Sequence, residues 1–247
     1  MIRLILLRHG QSQWNLENRF TGWKDVSLTK LGIEEANFSG NIILDNKFNI
    51  QSIHTSFLNR ATETTDIVAQ IIKYPKSQIK NDWRLNERHY GALEGLNKSE
   101  TAKKYGEEQV KVWRRSFDIP PPQLNINDAR HPKNNKKFIN LGSALPSGES
   151  LKDVITRLMP FLKNYFNFIK KNKGDHLIVA HSNSLRAVVK ILERLSDREI
   201  VEVNIPTGVP LVYKLDNTLN IIYKKYLIDE KTLNEKKEAV KNQGKIK

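Results

Sequence analysis

The chain alternates short apolar runs with longer stretches whose apolar positions recur every three or four residues. Ile2–Leu7 is apolar apart from Arg3, and its Leu4–Leu7 part is continuous, the pattern of a strand buried on both faces. Residues 8–28 carry neither period and read as loop. Thr29 is placed to cap a helix over about Lys30–Asp45. Ile50–Thr55 repeats the strand signal, and Leu58–Lys73 is helical, with Ala61, Thr65, Val68 and Ile72 along one face. Asp82–Leu85 reads as a short extended piece, and Ser99–Phe117 as one helix that Pro120-Pro121-Pro122 stops.

Residues 118–149 are polar and rich in Pro, Asn and Lys, as expected of a functional lid or a disordered insertion. The clearest helix follows, with Leu151, Val154, Ile155, Leu158, Phe161, Leu162, Tyr165, Phe166 and Ile169 at three and four; Pro160 inside it is a candidate kink. His176–Ala180 is a strand, and a helix opens at Ser182–Ser184. Val209–Leu215 and Asn220–Tyr226 read as closing strands, and 231–247 as a charged tail. Strand–helix alternation predicts an α/β three-layer sandwich, a mostly parallel sheet with helices on both faces.

Length and composition narrow the function. A chain of 247 residues suits one α/β domain with insertions. No apolar stretch reaches membrane-span length and Leu4–Leu7 is too short for a signal peptide, so the cytoplasm is the expected compartment. There is no cysteine, which excludes disulfides, thiolate zinc sites and a Cys nucleophile. Forty-one Lys and Arg against 27 Asp and Glu leave a net charge of +14, which favours an anionic partner. The lysines are scattered, without the aromatic interleaving of a strand-stacking surface, so nucleic acid is the weaker reading.

Four polar groups fall just after strands or at helix starts: His9, Arg60, Glu87 and His181. Parallel strands deliver their carboxyl ends to one edge of a sheet, where ligands bind. Singly, each has a bland structural reading; together they make a phosphoryl-transfer set. His9 would attack phosphorus, and Arg8 and Arg60 would clamp its oxygens. The helix start at Ser182–Ser184 would offer free backbone N–H groups. His181 would stabilise charge as an imidazolium or as a hydrogen-bond donor, and Glu87 would move the proton on the substrate oxygen. A metal site is disfavoured, because His176 and His181 are an odd number apart on one strand and no acidic cluster joins them. Neither G-x-S-x-G nor a P-loop occurs.

These residues resemble one family closely. Leu7–Asn15 (LRHGQSQWN) with Asn18–Trp23 (NRFTGW) is similar to the N-terminal signature of cofactor-dependent phosphoglycerate mutases, a branch of the histidine phosphatase superfamily. The resemblance continues through Leu85–Lys98, Trp113-Arg114-Arg115, Leu145–Leu151, His181–Arg186, Asn204–Pro210 and Asn242–Lys245. It implies a phosphoglycerate mutase-like fold and ping-pong transfer between 3- and 2-phosphoglycerate through phospho-His9. 2,3-Bisphosphoglycerate would prime the enzyme, with no metal. Glu87 would be the acid/base, and Arg8, Arg60 and His181 would hold the transferring group with Ser12, Asn15, Ser182 and Asn183. Thr21, Gly22, Arg88, Tyr90, Lys98, Arg114 and Arg115 would hold the carboxylate and second phosphate. A homodimer or homotetramer is implied, in which one domain over 1–247 carries an insertion or lid at about 90–149 and a C-terminal tail at about 231–247 covers the site. Two positions depart from the family: Gln11 where Glu is usual, and Ser182 where Gly is usual. The nearest rivals are a bisphosphoglycerate mutase or phosphatase and a broad histidine phosphatase, which share His9, Arg8, Arg60 and His181; a nucleic-acid binder and a dead scaffold are more remote.

Overall fold

The computed structural model describes residues 1–243 and 245, with Ser143 described by its backbone alone. Part of the resemblance at Asn242–Lys245, namely Gly244, and the end of the tail at Ile246 and Lys247 lie outside the described residues.

Among the described residues, six strands form one sheet in the order β3-β2-β4-β1-β5-β6. They are β1 (Ile2–Arg8), β2 (Ile50–Thr55), β3 (Lys80–Asn81), β4 (Gly174–Ala180), β5 (Leu211–Leu215) and β6 (Ile221–Tyr226). β3, β2, β4 and β1 run parallel, while β5 and β6 close the sheet antiparallel. The continuous run of β1 is explained by its two faces. Leu4 and Leu6 join the core beneath helices α6 (Leu151–Lys171) and α7 (Ser182–Glu193). Ile5 and Leu7 join the core beneath α2 (Lys30–Asp45) and α3 (Asn59–Ile71). The expected three layers are therefore present.

Thr29 caps α2 by accepting the Gly32 N–H, and Ser150 caps α6 by accepting from Asp153. Pro160 lies on the exposed side of α6, and the helix runs through it to Lys171. A freed carbonyl on that side can bond to water, so the proline does not end the helix.

Four sequence expectations need correction. The loop at 8–28 contains a short helix α1 (Gln13–Leu16), capped by Ser12. Asp82–Leu85 is not extended: the strand is the two residues before it, and Asp82 caps a 3₁₀ turn over Trp83–Leu85. The single helix at Ser99–Phe117 is two, α4 (Lys98–Tyr105) and α5 (Glu107–Arg115), separated at Gly106 with φ +86°. The charged tail holds a helix, α9 (Glu230–Lys241), after the single turn α8 (Glu199–Glu202). Residues 118–149 carry 3₁₀ turns at Pro132–Asn134 and Lys136–Ala144. They are pinned by Phe138, whose buried ring lies 4.8 Å from that of Trp23. Among the described residues no helix is long and apolar enough to cross a membrane.

Candidate active site

Strand register builds the centre of the site. Arg8 pairs with Ala180 across β1 and β4, and the His9 N–H donates to the Ala180 carbonyl at 3.0 Å. His9 and His181 therefore leave adjacent parallel strands at the same height, with ring centroids 4.9 Å apart. β2 ends beside them at Thr55; Ser56 follows, and Arg60 opens the first turn of α3.

His9 Nδ1 lies 2.7 Å from the Gly10 carbonyl. A carbonyl only accepts, so Nδ1 carries the proton and Nε2 the lone pair. That lone pair accepts from Arg60 Nε at 3.2 Å. Burial, then Arg60 and Arg8, hold the imidazole pKa well below its usual value. His9 is thus a neutral nucleophile at physiological pH.

His181 is held low for the same reasons, burial first and then Arg60, His9 and Arg8. This environment holds the ring neutral and works against the imidazolium that the sequence left open. Its Nε2 is 2.7 Å from Ser56 Oγ.

The arginines are braced by backbone. Arg8 Nη1 donates to Ile205 O at 2.8 Å, while Arg60 Nη1 and Nη2 donate to Lys24 O at 3.1 Å and Gly22 O at 2.9 Å. Burial lowers Arg60 to about 10, a field that an arriving anion would relieve. Glu87 Oε1 accepts from the Arg88 N–H at 2.8 Å and from the Asn183 N–H at 3.0 Å. One of the donors expected to be free at the start of α7 is thus already engaged by the acid/base candidate.

A cavity of about 560 Å³ opens over His9. Twelve of the sequence-derived residues line it: Arg8, His9, Asn15, Thr21, Arg60, Glu87, Tyr90, Lys98, Arg114, Arg115, Ser182 and Asn183. The other four sit behind the wall. Ser12 caps α1 and donates to Asn15 Oδ1. Gly22 offers its carbonyl to Arg60. Arg88 donates to Arg114 O at 2.7 Å and lies over the Tyr90 ring. His181 backs His9.

Sequence reasoning missed Arg19, Arg186, Val240 and Gln243, which also line the cavity. Arg186 falls mid-helix, where a cation reads as solvated, yet it is buried and donates to Asn183 Oδ1 and Ile200 O. Val240 and Gln243 arrive with α9, and Gln243 Oε1 accepts from Lys98 Nζ at 3.2 Å. Their only signal was the tail resemblance.

Among the described residues, seven in the lining are Arg or Lys and one, Glu87, is acidic. Burial lowers Arg114 to about 10 and Arg186 to about 9, and it depresses Lys98 strongly. Burial raises the Tyr90 phenol, but the adjacent Arg88 and Arg114 more than offset this, and its pKa is lowered. The Nε atoms of Arg8 and Arg186 are buried and find no partner among the described residues. Such a cluster suits a small, multiply charged anion. Among the described residues no group of three or more His, Asp or Glu could hold a metal ion.

Comparison with known proteins agrees. The model of the histidine phosphatase superfamily (branch 1) matches residues 4–131. A 2,3-bisphosphoglycerate-dependent phosphoglycerate mutase of Hydrogenobaculum sp. (strain Y04AAS1) is 49% identical over 246 residues, 99% of this chain and 100% of that one. Its counterpart from Treponema denticola is 48% identical over 247 residues, covering 100% of both. Among solved structures, a mycobacterial glucosyl-3-phosphoglycerate phosphatase in complex with VO3 shares the fold, with a TM-score of 0.68 and 21% identity over 87% of this chain and 93% of that one. The chain belongs to the histidine phosphatase superfamily and, within it, to the 2,3-bisphosphoglycerate-dependent phosphoglycerate mutases.

Proposed function

We propose that the chain interconverts 3-phosphoglycerate and 2-phosphoglycerate by phosphoryl transfer through a phosphohistidine at His9. The observation that carries this reading is the cavity in which, among the described residues, seven cations and one carboxylate surround a neutral imidazole. A phosphoglycerate brings a phosphate and a carboxylate, and 2,3-bisphosphoglycerate one phosphate more. The unpartnered guanidinium atoms of Arg8 and Arg186 fit such a polyanion. Bound there, 2,3-bisphosphoglycerate supplies the phosphoryl group that primes His9.

The chain's residues then divide the work. Nδ1–H to Gly10 holds the ring so that Nε2 forms the P–N bond as the P–O bond breaks. Glu87 donates its proton to the departing oxygen, and in the return step takes the proton of the attacking hydroxyl. Arg60 and Arg8 face the charge on the transferring group, with a neutral His181 behind His9. Ser56 Oγ, which accepts the Leu58 N–H, lies 2.7 Å from His181 Nε2 and anchors the ring. Ser12 and Asn15 support this end, with Ser182 and Asn183 at the start of α7. Thr21, Tyr90, Lys98, Arg114 and Arg115 hold the far phosphate and carboxylate, with Arg88 bracing Arg114 and Gly22 bracing Arg60. Residues 90–149 and the tail from 231 form the cover of a single domain, limiting water at phospho-His9. We place the enzyme in the cytoplasm as a homodimer or homotetramer that needs no metal.

The test is turnover of 3-phosphoglycerate coupled to enolase, with and without a trace of 2,3-bisphosphoglycerate, while free phosphate is followed. Isomerisation that depends on the bisphosphate, with little phosphate released, is the expected result. Phosphate release without isomerisation would replace the mutase with a phosphatase.

A further inference from the structure

Glu94 is a buried carboxylate that the proposed reaction does not use. It follows the 3₁₀ turn Gly91–Leu93 and is 4% exposed. Its Oε2 accepts the Trp23 N–H at 2.9 Å. That N–H belongs to the peptide group whose carbonyl, Gly22 O, accepts from Arg60 Nη2 at 2.9 Å. A trans peptide points its N–H and C=O in opposite directions, so fixing one end aims the other. The same turn gives Lys24 O to Arg60 Nη1 at 3.1 Å, and the third guanidinium nitrogen, Nε, is left facing His9 Nε2 at 3.2 Å. The approach is close: a Cβ on Gly22, whose φ is +54°, would lie 2.4 Å from Glu94 Oε2.

We infer that Glu94 is a positioning residue that, through the Gly22–Trp23 peptide, sets the Arg60 guanidinium against the His9 nucleophile. Hydrogen bonds in series polarise one another, so an anionic acceptor at one end strengthens the carbonyl at the other.

The groups facing Glu94 are His89, whose Nε2 is 3.7 Å away, Arg60, and Arg130, which donates to the Glu94 carbonyl. A cavity of about 970 Å³ behind the turn adds Lys24, Asp25, His131 and Lys136 and gives water access to the carboxyl. Burial, opposed by the Trp23 N–H and by Arg60 and Arg130, pushes Glu94 up to about 7. The brace is therefore pH-sensitive: as pH falls through that value the carboxylate takes up a proton and becomes a weaker acceptor.

The inference rests on the proposed role of Arg60 at His9, and its test has one readout that does not need turnover. The His9 imidazole is titrated by NMR in wild type, Arg60→Ala, Glu94→Ala and Glu94→Gln, alongside steady-state kinetics. Glu94→Ala is expected to raise the His9 pKa as Arg60→Ala does. It should lower kcat about 10- to 100-fold while KM stays within about twofold, the signature of a misplaced transition-state group. Glu94→Gln, which keeps an oxygen for the Trp23 N–H, is expected to retain most of kcat and to lose the activity limb near neutral pH. A folded Glu94→Ala with wild-type His9 titration and kcat overturns the inference, as does a Gln variant as impaired as Ala. Should Glu94→Ala fail to fold, an unchanged pH limb in Glu94→Gln overturns it alone. If His9 responds to Glu94→Ala while wild type isomerises nothing, the positioning stands and the proposed function falls.

Discussion

Arg60 Nε donates to His9 Nε2 across 3.2 Å, so the proposed nucleophile shares a hydrogen bond with its nearest cation inside a buried site. The bond identifies the lone pair, and the charge keeps the ring neutral. Arg60→Ala is expected to raise the His9 pKa, because one of two lowering cations is gone. It should cut turnover about 10²- to 10³-fold, the usual cost of losing a preorganised charge donor. NMR titration and the coupled assay check both effects. An unmoved His9 pKa would mean that burial and Arg8 suffice.

Acid lability follows from the histidines. All six, His9, His54, His89, His131, His176 and His181, have pKa values lowered by burial, with His54 at about 4 and His89 at about 3. In the unfolded chain they take up protons near pH 6.5, so below that pH the unfolded state binds more protons than the folded one. Their contribution is complete above about pH 6.5 and is lost as pH falls. Glu94, raised to about 7, runs the opposite way but is a single group. Melting temperature is expected to drop steadily from pH 7 to pH 4, and a flat profile would contradict the neutral, buried histidines.

Lys236 Nζ contacts Glu35 Oε1 at 2.7 Å. Glu35 also accepts the Gln11 N–H and the Thr207 hydroxyl, so one carboxylate ties α9 to two loops at the site. Lys236→Ala should loosen the helix that brings Val240 and Gln243 to the cavity. The expected outcome is more phosphate released per isomerisation, with thermal stability nearly unchanged, since a partly exposed ion pair contributes little. An unchanged ratio of the two products would remove α9 from the cover.

Lys98 offers a test of the far wall. It is buried, and burial with the nearby Arg114 and Arg8 holds its pKa well below that of a free lysine. Lys98→Met keeps the apolar stem and removes one charged donor, a loss that corresponds to KM about 10- to 100-fold higher. A substrate held by this many cations should also bind more weakly as salt rises. The Met variant is expected to show a shallower rise of KM with ionic strength than wild type. Parallel salt curves would place Lys98 outside the binding set.

The elements that periodicity specifies were legible without a structure. β1 needed only an unbroken apolar run, and α6 only its three–four spacing, because both patterns report which faces are buried. The strand-end placement of His9 and His181 followed from those patterns. The break at Gly106 was not readable, since a glycine inside a helical pattern costs little and only its φ of +86° marks an end. Helix α9 was hidden because its sequence is highly charged and its docking partner Glu35, like the Lys98 that holds Gln243 just after it, is remote in the chain. Arg19 and Arg186 stood inside the motif spans Asn18–Trp23 and His181–Arg186, but nothing local to them says that they line the cavity.

Local pattern by itself therefore determined the layer architecture, the cap of α2, and which chemical groups would reach the carboxyl edge of the sheet. Tertiary structure alone decided which groups touch: the β1–β4 register that sets His9 beside His181, the Asn183 N–H taken by Glu87, and the peptide bridge from Glu94 to Arg60. Those contacts join residues far apart in sequence through hydrogen bonds that act only over about 3 Å, a distance that periodicity does not encode.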